Sequence, residues 1–222
     1  MSEDRSWGAR LTGWLFLVGA LATLAYRSRV SGGKPESDAL YRYSTAVGSI
    51  VIYLILLGIV VYGIGGGLQR AEFFALRRPG SWPRALGWIA GGYLAIFVGA
   101  GLLLVALDAG DEQGLTSDEW DSSRAGAYAA NFLAVAVVGP VVEELVYRGA
   151  GMSLLSRFGA PVAVIATSLA FGLGHGLLLA LPALVVFGLV TAVVRLRTDS
   201  VYPCMAIHCL FNATSLIVSV AT

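Results

Sequence analysis

The chain has 222 residues, a formal charge of +1 and two cysteines; Ala, Val, Ile, Leu, Met, Phe, Trp, Tyr and Cys make up 57% and charged residues 13%, about half the roughly 25% of a soluble domain. So short a soluble chain cannot hide that much apolar surface, so the composition predicts an integral membrane protein and excludes a disordered chain. The near-zero charge, with no basic stripe, argues against a nucleic-acid partner, and two cysteines exclude a disulfide scaffold.

A helix needs about 20 apolar residues to cross a bilayer. In chain order, the first apolar run extends from about Trp7 to Tyr26. Arg5 and Arg10 precede its uncharged part, Leu11–Ala25, and Ala20-Leu21-Ala22 also fits a signal-peptide cleavage site. Uncharged spans follow over Ser44–Leu68 and Ala85–Leu107. A fourth starts near Ala125 and runs into Glu143-Glu144. From Phe158 to Val194 no residue carries a formal charge and His175 is the one titratable group, a stretch far too long for one crossing. Gly172, Gly174, Gly176 and Pro182 break it into two helices. The last span covers Ser200–Ala221. The expected fold is all-α, a polytopic bundle of about seven transmembrane helices forming one domain over 1–222. Runs that are continuously apolar rather than alternating exclude a β-barrel.

Topology follows Lys and Arg. With the N-terminus inside, the inner segments hold Arg5, Arg10, Arg70, Arg77, Arg78, Arg84, Arg157, Arg195 and Arg197, with Arg148 on the same side but in the fourth span rather than a loop, and the outer ones hold Arg27, Arg29, Lys34, Arg42 and Arg124. The asymmetry predicts a cytoplasmic N-terminus. Arg exceeds Lys by 14 to 1, which suggests a GC-rich genome and a prokaryotic plasma membrane. The loop with Asp108, Asp111, Glu112, Asp118, Glu119 and Asp121 reads as a solvated acidic connection. Gly63/Gly67, Gly87/Gly91 and Gly172/Gly176 have the GxxxG spacing, which lets helices approach closely but also follows from 28 glycines in the chain. Cys204 and Cys209 read as small buried thiols.

A charge near the bilayer centre costs about 2.5–3.5 kcal/mol on insertion scales, so polar residues within spans are informative. They are Glu143, Glu144 and Arg148 in the fourth span, His175 in the fifth, and His208 with Asn212 in the seventh; both histidines of the chain lie in spans. Glu144 and Arg148 are four apart and share a helix face, as do Phe171 and His175, and His208 and Asn212. Counted from a turn near Arg157–Ala160, Glu143 and His175 both lie about 15 residues, or about 22 Å, into the membrane. His208 lies about 7 Å shallower, a difference helix tilt absorbs.

Glu143-Glu144-Leu-Val-Tyr-Arg148 fits EExxxR, Phe171-Gly-Leu-Gly-His175 fits FxxxH, and His208-Cys-Leu-Phe-Asn212 fits HxxxN. In this order the three resemble the CPBP (Abi) family, the type II CAAX prenyl endopeptidases and their bacteriocin-processing relatives. The resemblance covers Asn131 to Asn212, within a core of about 125–222; the earlier spans resemble the family only in hydrophobicity. It implies an intramembrane endopeptidase acting on a membrane-associated protein or peptide in contact with lipid. In it Glu143 is the general base, His175 holds and activates water, and His208 and Asn212 form the oxyanion hole. Glu144, Arg148 and Phe171 orient or support them. A zinc reading uses Glu143 or Glu144 with His175 and His208 as a His₂Glu set, a metal-free glutamate mechanism uses the same residues, and spacing leaves both open. A non-catalytic scaffold or immunity-type protein of the same fold is the alternative function, with ion or proton transport along these groups a third.

Overall fold

The computed structural model describes residues 2–32, 38–109, 112 and 120–221. Among them there is no β-strand. The apolar runs fold as α1 (Ser2–Gly32), α2 (Tyr43–Ile64), α3 (Trp82–Ala106), α4 (Ser122–Phe158), α5 (Ala160–Gly174), α6 (Leu181–Thr198) and α7 (Tyr202–Ser219). A helix satisfies all its backbone groups internally, which lipid demands. α3, α5, α6 and α7 each carry a proline in the first turn, where its missing N–H has no partner to lose. α4 stops at Gly159, whose φ of 94° turns the chain into α5.

Six of the seven, all but α5, are long and apolar enough to cross a membrane. α5 has 15 residues, about 22 Å at about 1.5 Å per residue, which is shorter than a hydrocarbon core of about 30 Å. The continuous apolar stretch from Phe158 is indeed divided, with α5 ending at Gly174 and α6 beginning at Leu181.

Polarity is arranged as lipid requires. Exposed side chains include Leu54, Ile55, Leu102, Val105 and Ile217, while Asn131, Glu144, Arg148, Thr167, Thr191 and His208 are buried. α1 belongs to the core: Trp14 is buried, and its indole N–H donates to the Val146 carbonyl at 2.9 Å. Asn131 ties the segment before α2 to α4, with Nδ2 at 2.9 Å from the carbonyl oxygens of both Leu40 and Arg42.

Among the three glycine pairs the structure selects one. A Cβ on Gly63, Gly87 or Gly91 would meet nothing within 4 Å. On Gly172 it would meet Leu181 at 3.0 Å, and Gly176, at φ +66°, lies against the Ala25 backbone. α5 and α6 close further at Gly188, where a Cβ would stand 2.8 Å from Ser168 Cα. That neighbour is backbone and cannot swing aside. Gly188→Ala should therefore destabilise the bundle by about 1–3 kcal/mol through overpacking, read as a lowered unfolding midpoint in detergent. Gly91→Ala is the matched control and should leave the midpoint in place.

Candidate active site

α4 carries the acidic pair in a short α-helical stretch, Gly139–Glu144, flanked by wider π-type turns at Ala134–Val138 and Leu145–Gly151. Such turns often mark functional sites because they re-aim the side chains that follow. The two glutamates diverge as consecutive helical residues must. Glu144 points into the protein and is fully buried, whereas Glu143 is 20% exposed and faces a cavity.

His175 caps the end of α5, and its Nδ1 lies 2.8 Å from the Phe171 carbonyl oxygen. A carbonyl only accepts, so Nδ1 carries the proton and donates; a neutral ring then presents a lone pair at Nε2. His208 on α7 is buried, and its Nδ1 donates to Glu144 Oε1 at 2.9 Å. Both Nε2 atoms converge on one carboxylate oxygen. Glu143 Oε2 stands 3.9 Å from His175 Nε2 and 3.9 Å from His208 Nε2. The residues expected from sequence to meet at one depth thus lie together, although three separate helices carry them.

Behind His208 runs a buried network. Arg148 donates to Glu144 Oε1 at 3.2 Å, to the Gly188 carbonyl at 3.1 Å and to the Thr191 hydroxyl. Its guanidinium lies 4.6 Å from the centroid of the Phe171 ring, a cation–π contact. Phe171 is buried, stacks on Phe187 and stands edge-on to Tyr147. Asn212, one turn beyond His208, donates from Nδ2 to the Val135 carbonyl in the first wide turn at 2.9 Å; its amide has a second N–H.

Glu143, His175, His208 and Asn212 line one cavity of about 300 Å³. Sequence reasoning missed a further partner there: the Tyr53 hydroxyl donates to Glu143 Oε1 at 3.1 Å. The signal was present in α2, an uncharged helix whose Thr45, Ser49 and Tyr53 recur every four residues. Thr191, which holds Arg148, left no such signal.

The α5–α6 connection roofs this cavity through Leu177. Glu112 pins it, accepting from the backbone N–H of Leu178 and of Ala180 at 2.7 Å each, while Arg29 of α1 donates to the Glu112 carbonyl. Partial burial pushes the Glu112 carboxyl up, but the Ala180 and Leu178 N–H donors and the Arg29 charge outweigh it and hold the group below its ordinary value. A carboxylate depressed by folding stabilises at pH above its unfolded pKa and loses that contribution as pH falls through the folded one. Protection factors at the Leu178 and Ala180 amides, referred to the intrinsic exchange rate at each pH, should accordingly fall on acidification through the carboxylate range, and Glu112→Gln should lower them at neutral pH.

A zinc ion on Glu143, His175 and His208 would have the His₂Glu donor set of catalytic sites. The tautomers suit it, since each ring gives its other nitrogen to an acceptor, and Glu143 Oε2 is buried without a hydrogen-bond partner. The spacing does not. Zinc bonds of about 2.0–2.1 Å put tetrahedral ligand atoms about 3.3 Å apart, against the 3.9 Å found here. Glu144 is committed to Arg148 and His208. Among the described residues no group of three or more His, Cys, Asp or Glu is placed to hold a metal. As positioned, the set does not fit the ion.

Comparison with known proteins yields one match. Residues 125–214 fit the family model described as Type II CAAX prenyl endopeptidase Rce1-like. No curated protein and no solved structure matches the chain.

Proposed function

We propose that this multi-pass membrane protein, whose residues 125–214 match the Rce1-like type II CAAX prenyl endopeptidase model, hydrolyses a peptide bond of a membrane-associated protein or peptide, with Glu143 as the base. The convergence of Glu143 Oε2 and two imidazole Nε2 atoms carries this reading. A water about 2.8 Å from Oε2 also reaches a ring nitrogen 3.9 Å away from that oxygen.

Glu143 Oε2 takes one proton from this water while the oxygen attacks the scissile carbonyl carbon. His175 Nε2 accepts the other O–H and orients the nucleophile, its ring held by the Phe171 carbonyl. The carbonyl oxygen becomes the oxyanion, stabilised by N–H groups of His208 Nε2 and Asn212 Nδ2. Glu143 then returns its proton to the amide nitrogen, the C–N bond breaks, and an acid and an amine leave.

This assigns a proton. His208 donates from Nδ1 to Glu144, so donation from Nε2 requires a ring with both protons. Glu144 and Arg148 thereby orient His208 rather than touch substrate.

The same proposal takes the N-terminus as cytoplasmic, which the excess of Lys and Arg on one set of linkers supports, in a prokaryotic plasma membrane, which the preference for Arg over Lys supports. The test is a profile of cleaved membrane peptides from cells expressing the wild type or Glu143→Gln. Peptides that disappear with the substitution identify substrates; identical profiles, with alanine at His175 and His208 also silent, would leave a non-catalytic scaffold.

A further inference from the structure

α2 is uncharged from Tyr43 to Ile64, yet Thr45, Ser49 and Tyr53 all line the cavity that holds Glu143. In a membrane helix a polar stripe belongs on the protein side, where its groups find partners. Tyr53 reaches furthest, with its hydroxyl 3.1 Å from Glu143 Oε1. A second observation matches it. Gly139 lies one helical turn before Glu143 on the same face, and a Cβ there would stand 2.7 Å from both Tyr53 Cζ and its hydroxyl oxygen. A missing side chain on α4 admits the ring, and the ring delivers its hydroxyl to the carboxylate one turn on. Tyr53 lies outside residues 125–214, the part that matches the family.

The geometry assigns Tyr53 as a positioning residue for Glu143, an assignment that rests on the peptidase reading above. A carboxylate on a flexible stem can offer either oxygen. Tyr53 occupies Oε1 and leaves Oε2 aimed at His175 and His208. The other polar groups around Glu143 do not compete for Oε1. Glu144 and Arg148 pair with each other on the inner face of α4, and Tyr147, four residues on, packs against Phe171. Because Tyr53 acts on the base, its loss falls on turnover and leaves substrate binding alone.

Tyr53→Phe keeps the ring against Gly139 and removes only the hydroxyl. On the peptide cleaved most strongly in the comparison of wild type with Glu143→Gln, kcat should fall about ten- to a hundredfold, as expected for one charge-assisted hydrogen bond, with KM unchanged. Gly139→Ala, which displaces the ring, should lower kcat likewise, and the two together should be no worse than the more severe one. A second readout needs no substrate. The infrared difference between wild type and Glu143→Gln isolates the Glu143 carboxylate stretch, and Tyr53→Phe should shift that band. Wild-type kcat in Tyr53→Phe, a change confined to KM, additive losses in the double variant, or an unmoved band would each overturn the assignment. Absence of any Glu143-dependent cleavage by the wild type defeats the peptidase reading instead, and the infrared band then still decides whether Tyr53 holds the carboxylate.

Discussion

Glu143→Gln is expected to lower peptide cleavage by about 10²–10⁴-fold, the range that a positioned general base contributes, with the fold intact. The amide is nearly isosteric, and its oxygen still accepts from the Tyr53 hydroxyl. What disappears is the basic oxygen between His175 and His208. Glu143 makes no close ion pair, since both imidazole contacts are 3.9 Å, so little stability depends on its charge. Unfolding midpoint and expression should match the wild type while turnover collapses. Glu143→Asp retains the charge but withdraws it by one methylene. A misplacement of about 1 Å costs about a hundredfold in rate, so this variant should be severely impaired despite its intact carboxylate. Initial rates on one identified peptide separate the three proteins.

Arg148→Met should produce the largest loss of stability. Arg148 and Glu144 are both wholly buried, and removing one member of a buried pair leaves the other charge uncompensated, at about 3–5 kcal/mol. The same substitution strips donors from the Gly188 carbonyl and the Thr191 hydroxyl and a cation from the Phe171 face. Arg148→Lys should recover only part, because a compact ammonium cannot reach these acceptors in the fixed fork of a guanidinium. Glu144→Gln combined with Arg148→Met removes both charges and should be more stable than Arg148→Met alone. Detergent unfolding midpoints across the series test the order. Turnover should remain low in the double variant, since His208 then lacks the carboxylate that holds its Nδ1.

Much of this architecture is legible without coordinates because it is local in the chain. A run of apolar residues long enough to cross lipid must be helical, and the glycine-rich break after Gly172 separates α5 from α6 where expected. The polar exceptions name themselves, since each charge in a span carries a penalty that needs a reason. The same reasoning stops at contacts between helices. The spacing of Gly63/Gly67 and Gly87/Gly91 equals that of Gly172/Gly176, yet only the last pair meets another element. Spacing states which residues share a face and says nothing of what lies opposite.

The acidic pair shows the same division. Helical periodicity requires Glu143 and Glu144 to diverge, and the order of EExxxR, FxxxH and HxxxN carried the family resemblance that the match over residues 125–214 bears out. The sequence by itself therefore determined a membrane-embedded, all-α chain whose residues 125–214 match that family's model, together with the residues on which its polarity concentrates. Tertiary structure alone decided that Glu144 turns inward to Arg148 and His208 while Glu143 faces the cavity. It decided too that Tyr53 closes on Glu143 across Gly139, and that the three prospective zinc ligands stand too far apart for the ion. The reason is physical. Hydropathy and helical period are sums over neighbours in the chain, whereas a separation of a few ångströms between side chains on three helices is set by how those helices pack.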